Sequence, residues 1–296
     1  MLFLIHRRPE LAMRVLAAIR SARPRHLLVA ADGPADDQAC AAARELVLKG
    51  IDWPCRLECR FLTDQLGCRR AVSTALDWAF SLHEELIVLE DDCVPHPDFF
   101  PFCEAMLRHY QDNPLVMQVC GSHLIGMHPA DGSYYFSRFG PVWGWASWRR
   151  AWQAYDVDLK CWPAFRDSPQ LRTCCPEPLE AAWRRGVLDA THLGRIDTWD
   201  YQWAFAKMRL GGLSVVPGVN LVSNIGFGPD ATHTQDAADP RSCLATDCLT
   251  WPLIHPRNLA SWEQADRAYL ARVVGLPPRV WSLRGLITLL RHFLAR

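Results

Sequence analysis

Four short strand-forming runs separated by three helical stretches occupy the first 92 residues, and this alternation constrains the fold more than any other feature. Leu2–Ile5 and His26–Ala31 are apolar runs. Cys55–Phe61 alternates, with Cys55, Leu57, Cys59 and Phe61 on one face and Arg56, Glu58 and Arg60 on the other. Leu86–Leu89 is apolar throughout. Between them, Pro9–Arg20 places Leu11, Val15, Leu16 and Ile19 at helical spacing behind a proline start, Ala35–Leu48 is Ala-rich, and Arg69–Leu82 is again helical. A further helix is expected from Asp98 to Tyr110. Strand-helix repetition at this spacing predicts an α/β fold with a mostly parallel sheet and helices on both faces. In such sheets, ligands bind beyond the carboxyl ends of the strands. Four of those ends carry chemistry here: His6-Arg7-Arg8, Asp32-Gly33, Asp64 through Arg70, and Glu90-Asp91-Asp92.

The last of these is the most specific. Leu-Ile-Val-Leu-Glu-Asp-Asp-Cys over 86–93 brings three carboxylates to the end of one strand. Like charges that close need a cation or hydrogen-bond donors. Oxygen-only sets suit hard divalent ions, Mg²⁺ or Mn²⁺, which bridge to substrate phosphates. Taken alone, the same three residues also read as an acidic surface loop.

Bulk composition narrows the class. The formal charge is zero, with 32 basic and 32 acidic residues, so no net field favours nucleic acid. Half of the 296 residues are apolar, ample for a core. The twelve cysteines include no Cys-x-x-Cys pair and no zinc spacing. Without a signal peptide before the first strand, they are expected to be free thiols in a reducing cytoplasm. No run of about 18 apolar residues predicts a membrane span.

After Val116–Gly121 the chain turns Gly- and aromatic-rich, and most of its 13 Trp fall between Trp143 and Trp203. That density suits sugar stacking, and equally a crowded core. Helices are expected over Pro178–Arg185 and Thr198–Arg209, a strand over Leu213–Pro217, and an ordered loop over Asn220–Thr234. The expected organisation is a domain of residues 1–236, with halves 1–122 and 123–236, then a boundary at 237–247 and a helical extension over 248–296. In that extension, Ser261–Val274 and Arg279–Arg296 read as helices. The second carries Arg279, Arg284, Arg291 and Arg296 with no acid, which fits either peripheral contact with an anionic membrane or a helix docked on the domain.

Taken in order, these segments resemble glycosyltransferases of the GT-A (Rossmann-like) fold. Glu90-Asp91-Asp92 followed by Pro97-Asp98-Phe99-Phe100 is similar to the acidic motif and helix start of the N-acetylglucosaminyltransferase-I type. Gly144-Trp145…Trp148, Trp199-Asp200…Trp203 and Asn224-Ile225-Gly226-Phe227-Gly228 resemble its acceptor half. An even closer likeness is to bacterial sugar-transferase-like proteins labelled hemolytic or HlpA-like. The resemblance covers residues 2–235 and implies an inverting, Mn²⁺- or Mg²⁺-dependent enzyme. Its donor would be a UDP- or GDP-sugar and its acceptor a hydroxyl of a glycan or glycolipid. It places the nucleotide against Arg8 and Asp32, the diphosphate against Arg69 or Arg70 at a helix start, and Glu90 or Asp91 on ribose or a metal-bound water. Asp92 would hold the metal, joined by His233 from the loop after Gly228. Asp200 would be the base, with Asp197 as the alternative, although aspartate at a helix start is also an ordinary cap. Trp145, Trp199 and Trp203 would stack on acceptor sugars. Two rival classes remain open at this stage: a metal-dependent nucleotide-sugar hydrolase or nucleotidyltransferase, and a non-catalytic carbohydrate-binding or hemolysin-like protein.

Overall fold

The computed structural model describes residues 1–228, 236 and 238–276. The first-half alternation is borne out, with β1 at Leu2–Ile5, α1 at Pro9–Ala22, β2 at His26–Ala31, α2 at Gln38–Gly50, β3 at Arg56–Phe61, α3 at Gly67–Leu82 and β4 at Glu85–Glu90. Two helix starts are set by carboxylates. Asp37 accepts the Cys40 N–H and starts α2 three residues later than its alanines suggest. Asp32 accepts the Leu66 and Gly67 N–H groups, so α3 begins at Gly67, whose φ of +80° favours glycine.

Next come β5 (Cys93–Pro95), α4 (Phe99–His109), β6 (Val116–Cys120), β7 (Tyr134–Ser137) and β8 (Trp145–Trp148). Short helices α5 (Arg149–Trp152), α6 (Trp162–Arg166) and α7 (Gln170–Cys174) precede α8 (Pro178–His192) and α9 (Asp200–Leu210). β9 (Leu213–Pro217), β10 (Val222–Asn224) and α10 (Glu263–Tyr269) complete the order, with a wide helical turn over Leu270–Val274. The eight-stranded sheet runs β3-β2-β1-β4-β8-β6-β9-β7, and six of its strands point the same way. β7 and β8 are the two reversed strands, and both are wholly buried, so neither carries the polar alternation that would mark it in sequence. Because β8 sits between β4 and β6, the two expected halves share one sheet.

The two faces of β1 show why that sheet is stable. Phe3 and Ile5 join Leu27, Val29 and Leu89 against Val15, Leu16 and Ile19 of α1 and Phe99, Phe102 and Met106 of α4. Leu2 and Leu4 face the other way, packing with Leu28, Ala30 and Val88 on Leu76, Ala79 and Phe80 of α3 and on Trp203 of α9. Strands buried on both faces read as continuous apolar runs, which is how they appear in the sequence. All twelve cysteines are free. No described helix is long and apolar enough to cross a membrane, and the basic segment 279–296 lies outside the described residues.

Candidate active site

A cleft of about 880 Å³ opens at the carboxyl ends of β1–β4. It is lined by His6, Arg7 and Arg8 after β1, Asp32 after β2, Arg60 of β3, and Glu90 and Asp91 at the end of β4. The first turn of α3 and the loop Ile225–Gly228 close its sides. Arg60 lines it because it is the last residue on the polar face of β3, a parity visible in the sequence but not singled out there.

The acidic run is wired tightly. Asp91 accepts the His6 N–H at 2.9 Å on one oxygen and Arg8 Nη2 at 2.6 Å on the other. The same Nη2 donates to Asp92 Oδ2 at 2.8 Å, and the Cys93 thiol meets Asp92 Oδ1 at 3.3 Å. Both aspartates are buried, so this single guanidinium supplies the compensation that clustered carboxylates require. The loop after β10 closes over them. β10 pairs antiparallel with β5, the Ile225 N–H donates to the Asp92 carbonyl at 2.8 Å, and the Gly226 N–H to Asn224 Oδ1 at 2.8 Å. A Cβ at Gly226 would collide with Asp92 Oδ2 and Arg8 Nη1, so only glycine lets the backbone pass this close.

Glu90 behaves differently. Burial, followed by the charges of Asp92, Asp91 and Asp200, pushes its carboxyl up to about 8. Burial also raises Asp91, against the opposing pull of Arg8. Next to Glu90, the Cys68 thiol is raised by burial and by the carboxylates of Glu90, Asp200, Asp197 and Asp32, which makes it a poor nucleophile. Those four carboxylates, from three separate segments, therefore converge on the start of α3.

Two of the four are occupied by the α3 backbone. Besides Leu66 and Gly67, Asp32 accepts its neighbour Gly33 N–H, while Asp197 accepts Cys68 and Arg69 N–H at 2.9 and 3.0 Å. Asp197 is thus a cap supplied from 129 residues away, the ordinary alternative to a base. Asp200, first residue of α9, accepts the Thr198 hydroxyl and the Tyr201 N–H on Oδ1.

Other expected site residues lie elsewhere. Arg69 donates to the Val157 carbonyl and pairs with Asp158 at 3.2 Å, and Arg70 pairs with Asp158 at 3.1 Å. Neither side chain lines the cleft, so the diphosphate position expected of them is corrected: Asp158 draws both away. Trp145, Trp199 and Trp203 are at most 2% exposed. Trp145 stacks on Trp199 with centroids 5.5 Å apart, and Trp203 Nε1 donates to Gln118 Oε1 at 3.0 Å. Their rings meet each other rather than solvent, which corrects the expectation that they bind acceptor sugars.

The residues present do not fit a divalent ion at Asp92. Among the described residues no three His, Cys, Asp or Glu are disposed to share one. An ion on Asp91 or Asp92 would have to displace the Arg8 guanidinium from beneath Gly226. His233, the further ligand expected, lies outside the described residues.

No known family profile matches the chain. No curated protein matches it either. Among solved structures, apo mouse xyloside xylosyltransferase 1 is similar over 71% of this chain and 81% of its own, at 13% identity and a TM-score of 0.34. A likeness of that size carries no functional argument.

Proposed function

We propose that the chain is a glycosyltransferase that holds a nucleotide-diphosphate sugar in the cleft at the β1–β4 ends and passes the sugar to a glycan or glycolipid hydroxyl. The observation that carries this reading is the convergence at one cleft of polar residues from all four strand ends. Three arginines (Arg7, Arg8, Arg60) there face a set of carboxylates, in a volume suited to a nucleotide sugar. The Glu90 carboxyl, and Asp32 Oδ2, which among the described residues accepts only the Gly67 N–H, offer hydrogen-bond partners for ribose or base, and the arginines offer them for phosphate oxygens.

In this reading the reaction inverts the anomeric centre. The acceptor hydroxyl oxygen attacks the sugar carbon, the bond to the nucleoside diphosphate breaks, and Asp200 takes the hydroxyl proton. Asp200 is assigned the role because, although it does not itself line the cleft, it lies close enough to raise Glu90, which does, and its Oδ2 accepts no hydrogen bond from a described residue. Product analysis with a panel of UDP- and GDP-sugars tests the proposal. Sugar transfer that requires an acceptor, and that Asp200→Asn abolishes while donor binding persists, is the expected result. Sugar or nucleotide release at full rate without acceptor would make the protein a hydrolase instead, and wild-type transfer by Asp200→Asn would remove Asp200 as base.

A further inference from the structure

We propose that Arg8 is the built-in cation of this cleft: its guanidinium stands where a divalent ion would neutralise the phosphates, so nucleoside diphosphates bind without metal. The inference rests on the reading of the cleft as a donor site and deepens it. Three observations support it independently of one another.

The first is the geometry of Arg8 itself. One Nη2 bridges carboxylates of adjacent residues at 2.6 and 2.8 Å, the two groups that an oxygen-ligated ion would take. The second is the loop that seals the bridge. Ile225 and Gly226 are tied to Asp92 and Asn224, and the Gly226 backbone lies so close to both Asp92 and Arg8 that a methyl group does not fit. The guanidinium is therefore held by the fold, not parked in an open carboxylate trap.

The third is the charge left over in the cleft. Asp32 and Asp197 are engaged by backbone N–H groups of the α3 start, and Asp91 by Arg8 and the His6 N–H. Arg60, across the cleft, enters no ion pair among the described residues. Arg8 and Arg60 are then positioned to meet phosphate oxygens from two sides, as planar donors suited to phosphate geometry. Arg8 keeps its charge at any working pH, so binding of this kind needs neither a metal nor a particular protonation state.

Two measurements on the full chain decide the matter. UDP and GDP are titrated calorimetrically into wild-type protein in EDTA and again in millimolar Mn²⁺. In parallel, free Mn²⁺ is followed by EPR as protein is added without nucleotide. The expected outcome is a nucleotide affinity that agrees within threefold between EDTA and Mn²⁺, with Mn²⁺ remaining free in the EPR titration. Arg8→Ala should then weaken nucleotide binding at least tenfold, and Arg8→Lys less. Tenfold tighter binding in Mn²⁺ than in EDTA, or stoichiometric Mn²⁺ uptake by the wild type, overturns the inference. Wild-type affinity in a folded Arg8→Ala also overturns it. The wild-type arms need no variant to fold. Absence of nucleotide binding in every condition removes the donor-site reading itself, and is told apart by the EPR result, which follows Mn²⁺ uptake by the protein without nucleotide.

Discussion

Asp197→Ala separates a capping carboxylate from a catalytic one. Asp197 reaches across from the segment before α9 and accepts two N–H groups, of Cys68 at 2.9 Å and Arg69 at 3.0 Å, in the first turn of α3. Its Oδ2 also lies only 2.5 Å from where a Cβ on Gly67 would fall. Replacing an N-cap carboxylate by alanine costs about 0.5–2 kcal/mol, and the negative charge at a helix N-terminus accounts for roughly 0.3–1 kcal/mol of that kind of effect. Both N–H groups lose their acceptor together, but the site is exposed and water replaces part of it, so the working figure is about 1–2 kcal/mol. At about 2–4 °C per kcal/mol for a chain of this size class, melting should fall by about 2–8 °C. Asp197→Asn keeps an acceptor oxygen and should lose less than half as much. The assay is paired: thermal unfolding by circular dichroism, and sugar transfer at a temperature where both variants are folded. Transfer should track the folded fraction. A melting temperature within 1 °C of wild type together with loss of turnover would refute the capping account and return Asp197 to the list of bases.

Trp203→Ala should cost about 3–5 kcal/mol, because it removes a buried indole from an aromatic cluster and leaves Gln118 one donor short. Melting should fall by about 6–20 °C; unchanged melting with a raised acceptor KM would restore the stacking role. Lys207 gives a pH test: buried beside Gln118 and Ser214, its ammonium is pushed down to about 8, chiefly by burial. A lowered folded value means that the unfolded chain binds more protons between about pH 8 and 10.5, so this residue's cost is full below 8 and relieved above it. Relative to Lys207→Met, the wild type should therefore gain about 2 kcal/mol between pH 7 and 9.5 in urea unfolding, and a flat or falling difference contradicts the assignment.

The parallel half of the fold was legible because its determinants are local. Doubly buried strands are apolar runs, their helices carry 3.6-residue periodicity, and strand ends show as abrupt polar residues, as at Leu89-Glu90. β7 and β8 were not legible. Four buried residues without alternation, such as Trp145–Trp148, have no period to read, and only pairing with β4 and β6 makes them a strand. The same division runs through the site. Composition and position placed Arg8, Asp32, Glu90 and Asp91 at one edge, since strand direction alone sends them there. What each does was decided by distant partners. Asp158 claimed Arg69 and Arg70, the α3 backbone claimed Asp197, and three tryptophans found one another instead of solvent. The sequence determined which charges share a cleft, because strand ends are set by short-range pattern. Only the tertiary structure decided that Arg8 lies between Asp91 and Asp92, since that bridge joins residues 83 and 84 positions apart and exists only where β1 pairs with β4.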